Sequence, residues 1–212
     1  MATDTLGRVE VGQFVSDFTL LGPEFVGVSP LRGRGKVVLA FFPAAFSGGL
    51  DVGCECQMRS LDADVQDLRA AGARVYGVGR ELPFVMKAWG EILGLSFPIL
   101  SDPNLVAAET LVGTCDMGSR MERRIGVAPG VLGLAGYRSV NRGVVVLECG
   151  GGGGGGSGGG RSGPAGGEGG VVLYKWVATD AKGRPDASSL PDLEPVMEVV
   201  RGRGGRGGRS RL

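Results

Sequence analysis

Four cysteines and no histidine bound the chemistry open to this chain. Cys54 and Cys56 stand two residues apart, just after the glycine-bearing segment SGGLDVG. Cys115 and Cys149 stand alone in sequence. Without histidine, Ser-His-Asp and Cys-His mechanisms are excluded, as is a His-ligated metal. The Cys-x-Cys pair lacks the two further ligands that a closed metal site needs, so neither metal nor any other cofactor is expected. What remains is thiolate chemistry. It requires a thiol whose charge is favoured by a helix N-terminus or a nearby cation.

The elements flanking Cys54 suit that requirement. Val37 to Phe42 is an unbroken apolar run closed by Pro43. Such a run reads as a strand buried on both faces. After the loop, Met58, Leu61, Val65 and Leu68 recur in steps of three and four, the stripe of an amphipathic helix. Gly72 falls where a left-handed C-cap is expected. Strand, loop and helix start together make a place where backbone N–H groups converge. With Asp51 as N-cap, Cys54 stands at N3, within reach of the orphan N–H groups and the helix dipole. Cys56, two residues on, points away from Cys54. Read blandly, both are small half-buried thiols on a helix.

FFPAAFSG, followed by Cys56 and then Arg59, resembles the peroxiredoxins of the alkyl hydroperoxide reductase/thiol-specific antioxidant family. Their signature is Pro-x-x-x-Thr/Ser-x-x-Cys, the last residue being the cysteine that attacks peroxide. Pro43 and Ser47 fit it. The cysteine slot falls on Leu50 counted from Pro43, or on Asp51 counted back from Cys56 and Arg59. Neither is a thiol. The nucleophile is therefore sought in Cys54, with Cys56 as the other candidate. Cys54 lies roughly 4.5–6 Å along the helix from the family slot, so the loop must re-form around it.

The resemblance continues along the chain. VGQFVSDFTL is similar to the family's opening, with a strand near Phe18–Leu21. Asp17 reads as a solvated loop acid in preference to a turn cap. A strand at 25–28 follows, then a turn whose Arg32, Arg34 and Lys36 read as a solvated edge. ARVYGVG (73–79) is a second buried strand, parallel to the first. Pro83 opens a helix at 83–93, with Phe84, Val85, Ala88 and Trp89 on or near its buried stripe. SFPILSD supplies a strand at 97–100 and a cap, Ser101-Asp102-Pro103, for a helix at 104–112. Residues 113–136 read as a loop, with Arg120, Arg123 and Arg124 on a solvated face in preference to a site for an anionic partner or a dimer contact. A strand spans 143–148. The family places an arginine beside its catalytic thiol at this point, which implies that role for Arg142, with Arg138 the competitor. VVLYKWVATD (171–180) is a strand, and 191–200 a terminal helix.

Glycine reaches 42 residues of 212, but much of it clusters at 149–170 and in the tail. A tract of that composition cannot bury enough surface to offset its ordering entropy. It interrupts a β-hairpin, where closure cost grows only logarithmically with length. The expectation is one thioredoxin-like α/β domain over 1–200, a mixed central sheet flanked by helices, with a disordered insertion at 149–170 and a disordered Arg-Gly tail at 201–212.

A net charge of +1 gives little pull toward nucleic acid over the globular part. The tail's arginines lack interleaved aromatics, so nucleic acid is not expected as a partner. No apolar run is long enough for a membrane span, and the N-terminus reads as neither a signal nor a transit peptide. Irregular cysteine spacing points to mostly reduced thiols in a cytosol-like compartment, cytoplasmic with an organellar one left open. The resemblance implies a peroxide substrate, a thiol reductant (thioredoxin-like or of low molecular weight) and dimers, which relatives often form. Two functions stay open: a thiol peroxidase using Cys54, Cys56, Ser47, Pro43 and Arg142, or a catalytically silent binding or dimerisation module on the same fold.

Overall fold

A computed structural model describes residues 4–47, 53–150 and 168–202. The slot at Leu50 and Asp51, residues 151–167 of the Gly-rich tract and residues 203–212 of the tail lie outside the described residues.

In chain order the elements are β1 (Phe14–Ser16), β2 (Leu20–Leu21), β3 (Gly27–Val28), β4 (Gly35–Phe41), α1 (Cys54–Ala70), β5 (Ala73–Gly79), α2 (Pro83–Leu93), β6 (Ile99–Ser101), α3 (Val106–Leu111), β7 (Thr114–Asp116), α4 (Met117–Arg124), β8 (Arg138–Val140), β9 (Gly143–Cys149), β10 (Gly169–Val177) and α5 (Glu194–Val200). Eight strands form one mixed sheet in the order β1-β10-β9-β4-β5-β6-β2-β3, and β7 pairs with β8 separately. β4 runs parallel to β5 and antiparallel to β9. No helix among the described residues is long and apolar enough to cross a membrane.

The continuous apolar run of β4 has a simple cause. Side chains alternate across a sheet. Val38, Ala40 and Phe42 enter a core beneath α1, α2 and α5, with Met58, Leu61, Trp89 and Val196. Val37, Leu39 and Phe41 enter a second core beneath α3, with Leu111, Val145 and Leu147. A strand covered on both faces must be apolar at every position. The stripe expected for α1 is buried as read, and Gly72 takes the left-handed conformation (φ 85°) just past its C-cap, Ala71.

Several expectations need correction. On α2, Phe84 and Ala88 are exposed, and Met86, Trp89 and Leu93 form the buried face, because the sheet meets the helix one residue round from the predicted stripe. Asp17 is not merely solvated: its Oδ1 accepts the Leu31 N–H at 3.1 Å. Lys36 is half-buried and donates to Val200 O at the end of α5, 2.9 Å away. The opening strand reduces to Leu20–Leu21, and β1 lies before it. The cap expected at Ser101-Asp102-Pro103 forms through Asp102, which accepts the Val106 and Ala108 N–H groups. The terminal helix starts at Glu194 rather than 191, and β9 and β10 pair as the expected hairpin strands.

The largest departure is 113–136, read as loop. It holds β7 and the amphipathic helix α4, whose N-cap Asp116 accepts the Ser119 N–H. The segment beyond α4 is organised by one side chain. Buried Glu122 accepts N–H groups from Gly130, Leu132 and Leu134 at 2.5, 2.8 and 3.3 Å. These backbone donors, Gly130 foremost, hold its carboxyl below the ordinary value of 4.5. Burial pushes Asp116 up, but the Ser119 N–H and hydroxyl and the Gly136 N–H outweigh it, leaving the group below 3.8.

Two outcomes follow. Both lowered carboxylates contribute stability that is fully present above their unfolded values, 4.5 and 3.8. It is lost as pH falls through their lower folded values. Urea midpoints measured downward from pH 5 should therefore drop below pH 4.5, and Glu122→Gln should flatten that drop. Gly79→Ala places a Cβ 2.7 Å from Phe42 and Met86 side-chain atoms. Overpacking of this kind should cost about 1–3 kcal/mol in urea unfolding.

Candidate active site

β4 delivers the chain to the site. After Phe41, Phe42 donates to Val78 O at 3.1 Å and packs against Trp89 with the rings tilted at 49°, centroids 4.8 Å apart. Pro43 turns the chain off the sheet and is itself buried. Its carbonyl accepts the Ser139 hydroxyl from β8. Two residues on, the Ala45 N–H donates to Glu81 Oε1 at 2.8 Å. Phe46 then takes a positive φ of 55° and stays exposed. The segment Pro43–Ser47 is thus pinned at two points by β8 and by the residues after β5. Burial pushes the Glu81 carboxyl above its usual range, against the N–H groups and Arg80 that favour its charge.

Helix α1 begins at Cys54 itself. Its N-cap is Gly53, so Cys54 occupies N1 rather than the expected N3. Gln57, 2% exposed, reaches back and donates to Phe41 O at 3.1 Å, tying the first turn of α1 to the end of β4. Cys54 is 3% exposed.

Arg142 comes from the opposite direction, just before β9, and is 3% exposed. Its backbone carbonyl accepts the Ala178 N–H at 2.9 Å. Its Nη2 lies 3.6 Å from Cys54 Sγ, and its Nη1 lies 3.5 Å from Gly53 O. Its Nε is buried without a hydrogen-bond partner among the described residues. The competitor, Arg138, sits on β8 and donates to Thr114 Oγ1.

Pro43, Ser47, Cys54 and Arg142 line one cleft. Ser47 is exposed on its rim. Cys56 is half-buried on α1 and does not line it. Arg59 pairs with Glu55 at 3.0 Å on the exposed surface of α1. The far wall comes from α4 and from 180–188. There Arg120 pairs with Asp4 at 2.8 Å and donates to Pro185 O, so it is half-buried, not on a solvated face. Arg184 pairs with Asp180 at 2.6 Å, and the bonds from Arg184 hold the Asp180 carboxyl down at about 2. Cys115 and Cys149 are buried elsewhere, and burial raises each thiol to about 11.

Sequence reasoning missed Gln57, Glu81, Ser139 and the wall residues Arg120 and Arg184. A capping or period rule offered no signal for the first three, since each acts on the backbone of a distant segment. The amphipathic pattern of 117–124 could have placed Arg120.

A model of the AhpC/TSA family matches residues 11–118 of the 212, half of the chain. A curated Haemophilus influenzae protein, named as a candidate peroxiredoxin, is 34% identical over 106 residues, covering 49% of this chain and 65% of the relative. A similarly named Mycobacterium tuberculosis protein is 33% identical over 79 residues, 37% of this chain and 47% of the relative. The match thus spans between about half and two thirds of these relatives. Among solved structures, reduced Prx3 of Vibrio vulnificus superposes with a TM-score of 0.61 at 20% identity, covering 91% of this chain and 99% of that one. A peroxiredoxin-like protein of Aquifex aeolicus gives 0.59 at 16% identity, covering 94% and 92%. With half the sequence matched by the family model and the whole architecture shared with these structures, the chain belongs to the AhpC/TSA family and has the thioredoxin-like fold of the peroxiredoxins.

Proposed function

We propose that this chain is a thiol peroxidase that reduces hydrogen peroxide or alkyl hydroperoxides with Cys54 as its nucleophile. The observation that carries this reading is the Arg142 guanidinium, 3.6 Å from Cys54 Sγ inside the cleft. The guanidinium faces the sulfur at the first position of a helix, where it can meet negative charge that moves to the departing peroxide oxygen. The thiolate attacks the terminal peroxide oxygen. An S–O bond forms as the O–O bond breaks, and the departing oxygen takes a proton to leave as water or alcohol. Arg142 stabilises negative charge as it moves from sulfur to the departing oxygen. Ser47 hydrogen-bonds the incoming peroxide from the rim. Pro43 keeps bulk water off the sulfur. The sulfenic acid left on Cys54 is returned to thiol by a thiol reductant.

The loop between Ser47 and Cys54 is longer than the family signature, and Leu50 or Asp51 holds the slot usually filled by cysteine. Cys54 at N1 supports the view that a later cysteine takes the place at the helix end. The other reading, a silent member serving as a binding or dimerisation module, draws on that missing slot cysteine and on the near-complete burial of Cys54. We read the chain as a single domain working in a cytoplasmic compartment, with homodimers as in relatives.

Stopped-flow consumption of hydrogen peroxide by the reduced protein separates the two readings. Cys54→Ser should fall to the rate of buffer, and Cys56→Ser should keep the oxidation step. Arg142→Met should slow oxidation about 10²–10³-fold, the scale for removing one oxyanion donor. A native rate no faster than free cysteine, unchanged in all three variants, would mean the silent module.

A further inference from the structure

The loop after α4 has a composition that water does not favour. From 125 to 137 the chain reads IGVAPGVLGLAGY, with no charged side chain and the Tyr137 hydroxyl as its only polar side-chain group. Its apolar side chains nonetheless face outward. Ile125 is 64% exposed, Val131 67% and Leu132 53%, and Leu134 and Tyr137 are exposed as well. An exposed apolar patch rimmed by polar residues marks a surface that a partner or a membrane covers. The segment lies beyond residues 11–118, where the AhpC/TSA model matches, so the family pattern does not account for it.

The backbone and the flanking charges say what covers it. Buried Glu122 accepts the N–H groups of Gly130, Leu132 and Leu134, and Asp116 accepts that of Gly136. Val127, Val131, Gly133 and Tyr137 donate to the carbonyls of Glu122, Ala128, Gly130 and Leu134. Irregular backbone enters a lipid phase only where such groups are met within the protein. The same bonds turn both carboxylates inward. The charges left at the edges of the loop are basic. Arg123 and Arg124 precede it, exposed and in no ion pair among the described residues, although Arg123 is within electrostatic reach of Asp116. At the other end Arg80 lies 4.4 Å from the centre of the Tyr137 ring. Basic residues also suit a helix C-terminus, but that does not explain the apolar loop they border. A protein partner would bring polar groups that need mates, about one hydrogen bond per 100–200 Å² of interface. This loop has one side-chain group to offer. A lipid layer needs none, and arginine and tyrosine at the rim suit the level of its headgroups.

We propose that 125–137, bordered by Arg80, Arg123 and Arg124, is a docking surface for an anionic lipid membrane. The aliphatic side chains enter the headgroup–acyl boundary, and the guanidinium groups meet lipid phosphates. Such a surface lies on a membrane and does not span it. Met121, Arg123, Arg124 and Ile125 also line the cleft that holds Cys54. Docking therefore sets one wall of the cleft at the lipid surface. The proposal is independent of which cysteine, if any, reacts with peroxide.

Co-sedimentation of the full-length protein with vesicles tests it. Vesicles of phosphatidylcholine containing about 30% phosphatidylglycerol should bind at least about tenfold more tightly than phosphatidylcholine alone, and less so at about 0.5 M salt. Val131→Ser/Leu132→Ser leaves every charge in place and should weaken binding at least about tenfold. Arg123→Gln/Arg124→Gln should weaken it about fivefold for each arginine removed. All four side chains are exposed, so urea midpoints should match the native protein's. In the native protein, hydrogen exchange over 125–137 should slow when the anionic vesicles are added. No binding to them overturns the proposal. So does binding that the serine variant keeps in full, which would belong to charge alone, such as the arginines of 203–212. Concentration-dependent self-association that the serine variant loses, without vesicle binding by the native protein, would assign the face to a second copy and overturn it too.

Discussion

One buried charge governs the site. Arg142 is almost wholly out of water, and among the described residues its side-chain acceptors are the Gly53 carbonyl and the Cys54 sulfur, with Nε left unmet. Taking a guanidinium from water costs several kcal/mol unless an opposite charge meets it. Neutral acceptors repay only part of that. A negative charge beside it would satisfy the guanidinium. The arrangement is therefore more favourable with an anion in the cleft than without one, which is the sense in which a site is prepared for charge development.

Everything around Arg142 works to keep that geometry. β4 and β9 are registered along their whole length, so Phe41 lies opposite Gly143 and the ends of the two strands meet at the cleft. Gln57 ties α1 to Phe41, Ser139 ties Pro43 to β8, and Glu81 ties Ala45 to the end of β5. Each is a side chain acting on backbone, so each fixes chain position without blocking the cleft. The positive φ of Phe46 is tolerated because bonds on the preceding residues determine the path of the segment.

The departure from the family signature falls on Leu50 and Asp51, and the described residues resume just before the helix that follows. α1 starts at Cys54, and a cysteine still stands at its N-terminus beside an arginine from the strand that pairs with β4. The remaining thiols do not face this sulfur. Two are deeply buried, and one follows Cys54 too closely to face it on a helix.

The sequence by itself determined the main frame. The run Val37–Phe42, the stripe from Met58 to Leu68 and the segment Ala73–Gly79 are local patterns, and period and burial follow from them directly. So do Pro43, Ser47, Cys54 and Arg142 as candidates, through the family resemblance. Only the tertiary structure decided that Cys54 is at N1, that Phe84 is exposed, and that 113–136 holds a strand and a helix whose following loop is centred on Glu122. It alone brought Arg142 to a sulfur 88 residues earlier and put Arg120 against Asp4, 116 residues away. The reason is physical. A pattern of spacing encodes which face of an element is apolar. It carries nothing about which polar side chain of one element will satisfy the backbone or the charge of another, because that depends on where packing brings them.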